Sequence, residues 1–216
     1  MRFSRIRVAV AGLAVLTLAA CAQQEQKPPP AAPGVGKERL RSVLVVPVVN
    51  RSAEVNAPDG LLVTLPVPVA ERGYYIFPAH MVRRTMEDDG LGDADLVHRA
   101  DPVKLAGIFG ADAVLFAVIE EWNSQYVVLA TTTTVAIRYT LKSGKTGETL
   151  WTSVQRRQFT AGPQGEGVGG LIAGAVAAAI ERASPTYMPL ARQASRQALT
   201  VGRDGVPYGP YYRPVR

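Results

Sequence analysis

The stretch Leu18-Ala19-Ala20-Cys21 constrains this chain most, because it separates a part that is discarded from a part that must fold. Arg2, Arg5 and Arg7 form a positive n-region, and Val8 to Leu18 is an uncharged apolar h-region. Small Ala19 and Ala20 then precede Cys21, as a signal-peptidase site requires. The apolar run falls well short of the about 20 residues that cross about 30 Å of hydrocarbon, so it reads as a cleaved signal. A diacylglycerol thioether on Cys21, with a palmitate-type N-acyl chain, would bury several chains at about 0.8 kcal/mol per CH₂. Bacterial sorting retains lipoproteins in the inner membrane when an acid follows the cysteine. Ala22 follows here. The expected location is the outer membrane, lipid-anchored, with the domain facing the periplasm.

Removing residues 1–20 takes three arginines from 24 basic residues and nothing from 18 acids, leaving a net charge of +3. That balance shows no clustered basic stripe, so nucleic acid is not an expected partner. Cys21 is the sole cysteine. Once it is lipidated, disulfides, thiolate metal sites and cysteine nucleophiles are excluded.

Residues 21–36, with Pro28, Pro29, Pro30 and Pro33, read as a polar tether. Residues 37–200 have the length of one domain, and residues 201–216 read as an irregular Gly/Pro/Tyr tail. Ser42 to Val49 and Ala113 to Ile119 are β-branched runs of the kind buried on both faces of a sheet. Asp59 to Glu71 has helical spacing broken at Pro66 and Pro68. Tyr74 to Phe77 predicts a short strand, and Pro78 to Asp89 a helix. Asp101-Pro102 starts another helix that ends at Gly110. Tyr126 to Leu141 and Glu148 to Phe159 predict an antiparallel pair joined at Lys142 to Gly147. Leu171 to Ala183 and Ser184 to about Leu199 predict two closing helices.

The apparent chemical motifs dissolve on inspection. Gly165 to Gly170 matches G-x-G-x-x-G, yet no parallel strand follows and no acid lies about 20 residues on, so it reads as a flexible loop. Gly170, Gly174 and Ala178 form a small-residue row in a segment too short to span a membrane, which favours close packing on the sheet. His80 and His98 lack acidic or histidine neighbours at metal spacing and read as surface or helix-end residues. Adjacent Asp88-Asp89 and Glu120-Glu121 should point apart. No catalytic residue, cofactor site or metal site is expected, and the chain is not expected to be an enzyme. In the tail, Tyr208, Tyr211, Tyr212 and Arg213 lie among prolines that pre-order the chain, and they are candidate partner contacts dispensable for folding.

Four blocks carry a resemblance: Val45 to Ser52, Ala70 to Pro78, Ile108 to Leu115 and Thr146 to Trp151. In that order they resemble a family of bacterial outer-membrane lipoproteins of unknown function, itself distantly similar to the TolB amino-terminal domain, the CsgG periplasmic domain and LpoB. The resemblance implies an α/β sandwich, a mixed β-sheet with helices packed on it, that serves interactions and transfers no catalytic residues. The implied partners are the outer membrane through the anchor, and other envelope lipoproteins or secretion-system components. The alternative function is a subunit of a CsgG-like oligomeric secretion pore, although Thr131 to Thr134 and Arg138 break the lipid-facing alternation such a hairpin needs. Cys21→Ala should abolish lipid attachment and processing. Radiolabelled palmitate incorporation and outer-membrane fractionation check this, the variant remaining unlabelled and longer than the mature protein.

Overall fold

The computed structural model describes residues 39–163, 167–200 and 205–213. Its spine is β4 (Ala113–Val127), which shares one edge with two short parallel strands and the other with a long antiparallel partner. Those strands are β1 (Ser42–Val45), β2 (Val49–Asn50) and β5 (Ala130–Ser143). With β3 (Tyr75–Ile76) and β6 (Thr149–Ala161) they form a six-stranded mixed sheet in the order β3-β1-β4-β5-β6, with β2 also on β4. The expected strand from Ser42 to Val49 is two strands. Pro47 has no N–H to continue the ladder, and pairing with β4 resumes only at Val49. The start of β1 is fixed by Asp112, whose carboxylate accepts from the Arg41 and Ser42 amides at 2.9 and 3.1 Å.

Helices cover both faces, as an α/β sandwich requires. On one face lie α1 (Ala57–Leu62), α2 (Pro66–Glu71) and, later in the chain, α7 (Tyr187–Thr200). Their Leu61, Val69, Leu190, Ala194 and Ala198 pack on Val43, Leu115, Ile137 and Tyr139. The other face carries α3 (Ala79–Asp88), α4 (Ala94–Arg99) and α5 (Pro102–Phe109), with Val82, Met86, Val97 and Leu105 packed on Leu44, Val46 and Val114. The predicted break before Pro66 separates α1 from α2, because proline is accommodated in a first helical turn but not in a helix interior. Asp101 accepts from the Val103 amide, and Gly110 closes α5 at φ +66°. Sequence reasoning did not separate α4, whose Asp93 cap accepts from Asp95 and Leu96. A buried chain of hydroxyls ties the first face together: Tyr139 to Ser195 at 3.1 Å, and Ser195 to Thr64 at 2.8 Å.

Expectation and structure differ most at the distal hairpin. Tyr126 and Val127 end β4 and do not begin β5. The chain reverses at Val128 and Leu129, both left-handed at φ 35° and 66°, where hairpin turns ordinarily use Asn or Gly. Helix α6 (Gly167–Ala183) starts earlier than Leu171 and crosses the sheet near this turn. Its small face does pack on the sheet. A Cβ on Gly174 would lie 2.2 Å from Pro163, Ala178 is fully buried, and the Thr131 hydroxyl donates to the Ala178 carbonyl at 2.7 Å.

Glu181 fastens the other end of α6. Burial would raise its carboxyl, but donation from Thr133 Oγ1, the Thr186 amide and Thr186 Oγ1 outweighs that and holds it below the ordinary carboxylate range. A depressed carboxylate stabilises the fold fully above its unfolded value of about 4.3, and that contribution is lost as pH falls through the folded value. Hydrogen exchange of the α6 amides should therefore accelerate in acid before the β1 and β4 amides do. Thr133→Val should remove a charge-assisted bond of about 1.5–3 kcal/mol and lower the melting temperature at pH 7, with a smaller difference from wild type in acid.

Candidate functional site

Residues 205–213 carry no helix or strand, in keeping with their composition, yet they are strapped to the turn between α2 and β3. The Gly209 amide donates to the Arg72 carbonyl at 2.7 Å, and the Tyr211 amide donates to Gly73 O at 3.1 Å. The Tyr74 hydroxyl donates to Pro207 O at 2.7 Å. Val206 is buried within the main core. The approach is so close that side chains are excluded at two places. A Cβ on Gly209 would sit 2.3 Å from Gly73 O, and one on Gly73, itself at φ +83°, would sit 2.1 Å from the Tyr212 nitrogen.

Arg72 is the centre of this arrangement. It is a buried residue whose Nε donates to Leu199 O at 2.6 Å, satisfying a carbonyl at the end of α7. Its guanidinium carbon lies 4.4 Å from the centroid of Tyr208. Tyr208 and Tyr212 pack with centroids 3.9 Å apart. Hydrogen bonding with Tyr208 holds the Tyr212 phenol above its ordinary value. Burial pushes the Tyr74 phenol up to about 12 against the opposing pull of Arg72. Sequence reasoning missed Arg72. Only its place before Gly73 at a helix end distinguished it, and nothing local linked it to residues more than a hundred positions away.

Tyr208, Tyr211 and Tyr212 come together on one surface with Arg213 exposed beside them, whereas Cys21 lies outside the described residues. The platform borders a recess of about 250 Å³ lined by Tyr211, Tyr75, Phe77, Arg41 and Asp112. Tyr75 meets Phe77 edge-on at 5.1 Å, and Phe77 leans on Phe109 at 5.9 Å. The surface offers aromatic area and cations on a backbone that is already ordered.

Several ionisable groups elsewhere are paired with one another. A second cleft of about 330 Å³ lies between α1 and α3, where Arg83 holds Asp59 at 3.2 Å and Glu87 at 2.9 Å. Glu120 and Glu121 do not point apart as expected. A bulge between Ile119 and Glu121 sends both to the same face, where Glu120 pairs with Arg138 and Glu121 with Arg156. Burial keeps the His98 imidazole low, and its Nε2–H donates to Pro47 O at 3.0 Å. His80 is exposed. Among the described residues, no group of three or more His, Cys, Asp or Glu side chains could hold a metal ion.

A family model described as "Putative lipoprotein GNA1162-like" matches residues 35–211. The chain belongs to that family. The protein named "Putative lipoprotein NMB1124/NMB1162" of Neisseria meningitidis serogroup B is 41% identical over 139 residues. That match spans 64% of this chain and 64% of the relative's own length. The crystal structure of lipoprotein GNA1162 from Neisseria meningitidis superposes with a TM-score of 0.53 at 34% identity, covering 66% of this chain and 96% of that one. Its α/β architecture agrees with the mixed sheet and packed helices expected from the sequence. A more distant likeness is to the LpoB C-terminal domain from Salmonella enterica. It has 22% identity and a TM-score of 0.37, over 56% of this chain and 84% of that one.

The buried Val206 argues against a tail that is dispensable for folding. Truncation after Thr200 should lower the melting temperature by several degrees, since burial of a valine side chain is worth about 1.5–3 kcal/mol. Tyr74→Phe, which loses only the bond to Pro207 O, should cost about 0.5–1.5 kcal/mol. Urea denaturation of both variants checks the ranking.

Proposed function

We propose that this chain is a lipid-anchored module of the outer membrane that faces the periplasm and acts by holding other envelope proteins, not by catalysis. Lipidation at Cys21 supplies the anchor, and the tether of residues 21–36 supplies the reach to the domain. The observation that carries the reading is the strapped tyrosine platform. Tyr211 is 60% exposed although its own amide is fixed to Gly73, so a large aromatic side chain is presented with little ordering left to lose. Tyrosine and arginine are the side chains that dominate interface energetics, and Arg213 stands next to the platform. Asp59, Glu87, Glu120 and Glu121 are each already engaged by an arginine. The partners in this reading are other envelope lipoproteins or secretion-system components.

Tyr211→Ala is the cleaner test, because it removes the exposed ring and keeps the Gly73–Tyr211 backbone bond. Crosslinking in intact cells followed by mass spectrometry should recover at least about tenfold less partner from this variant, as expected for an interface hot spot. Its melting temperature should stay within about a degree of wild type, in line with an exposed substitution. Equal partner recovery at matched expression would remove the platform from the binding surface.

A further inference from the structure

Two segments far apart in sequence meet to form an exposed aliphatic surface that the tyrosine platform does not use. The first is the turn Val127-Val128-Leu129 between β4 and β5, where Val128 is 85% exposed. The second is the outward face of α6, with Val168 71% and Ile180 63% exposed, and Leu171, Ile172 and Val176 between them. Thr131 and Gly162 bring the two together. Thr131, one residue past the start of β5, donates to Ala178 O, while Gly162 at the end of β6 lies against both Ala130 and Gly174. The guanidinium of Arg182 stacks over Tyr126 at 5.3 Å where the turn meets the helix end.

We infer that this surface rests on the lipid bilayer, with the turn and the outer face of α6 dipped into the interfacial layer. The inference rests on the lipid-anchor reading above. Two observations favour lipid over a second copy of the chain. From Gly167 to Ile180, and from Val127 to Ala130, no side chain can donate or accept a hydrogen bond. Protein interfaces of useful size carry about one hydrogen bond per 100–200 Å², whereas acyl chains ask for none. The stacked Tyr126 and Arg182 pair has the amphipathic build that settles at headgroup depth. The ladder on either side holds both turn residues left-handed, so the tip presents aliphatic side chains where hairpins ordinarily carry Asn or Gly.

The anchor also has the length this pose needs. The described chain enters beside Asp112, at the opposite end of β4 from the turn. Fourteen steps along β4 place the turn about 46 Å from that entry. A chain as long as the 18 residues from Ala22 to Arg39 has a contour of about 56 Å at 3.1 Å per residue, which exceeds that distance. Among the described residues no helix is long and apolar enough to cross a membrane, so α6 lies on the surface and does not span it.

The test uses the full-length, processed protein in vesicles of phosphatidylethanolamine and phosphatidylglycerol. Val128→Cys, Ile172→Cys and, as a control at the other end of the hairpin, Lys145→Cys each carry an environment-sensitive dye. Acylation of Cys21 leaves no other thiol to label. Brominated acyl chains should quench the dyes at 128 and 172 at least about threefold more than the dye at 145, as interfacial burial of one face requires. Equal quenching at all three positions, on protein that still floats with the vesicles, would overturn the inference and leave the anchor intact. A blue shift at 128 and 172 that needs no vesicles and grows with protein concentration would assign the surface to a second copy, and would likewise overturn it. Dye uptake by the parent protein would show that Cys21 is not acylated and sink the anchor reading, while quenching by added vesicles would still decide the surface.

Discussion

Everything in this fold depends on β4 being longer than the helices that cover it. Its first half, Ala113 to Ala117, is apolar and buried, because helices pack on both sides and parallel strands flank it. Its second half runs on past Trp122 with β5 and β6, beyond the reach of α3, α4 and α5. One face of that extension is covered by α6, and the other carries the paired Glu120–Arg138 and Glu121–Arg156 charges. A shorter β4 would give α6 nothing to rest on and would bring no turn beside it.

The other organising element is Arg72. A guanidinium inside a protein must have its donors met, and here one is met by a carbonyl at the end of α7 while the ring of Tyr208 covers a face. The same residue's carbonyl receives Gly209, so one position joins the close of α2, the close of α7 and the strap. This explains how a Gly/Pro/Tyr-rich terminus becomes an ordered surface. It also explains why Gly73 and Gly209 lack side chains: a Cβ on Gly209 would meet the Gly73 carbonyl, and one on Gly73 would meet the Tyr211–Tyr212 backbone.

The sequence misleads at points where one contact overrides a local rule. Adjacent glutamates point apart on a regular strand, but the bulge at Glu120 cancels the alternation, and no composition signal marked it. Tyr126 to Leu141 reads as one strand because Val128-Leu129 lacks every ordinary turn residue, and the reversal is imposed by the ladder on both sides. Pro47 was visible and should have divided β1 from β2, since a missing N–H cannot be restored by packing. The helix boundaries at Pro66, Asp101 and Gly110 were legible because capping and proline chemistry are decided within a few residues.

The sequence by itself determined the buried strands around Val43 and Val114 and the small face of α6 that packs on the sheet. These follow from residue type and spacing, which set local dihedrals and the side that is buried. Among candidate site residues it picked out the tail tyrosines, through their setting among prolines. Only the tertiary structure decided that Arg72 would hold that tail, that Val206 would enter the core, and that Val128 would lie beside α6. Each of these joins positions dozens to more than a hundred residues apart, and such contacts are selected by the whole packed arrangement, which no local pattern of side chains encodes.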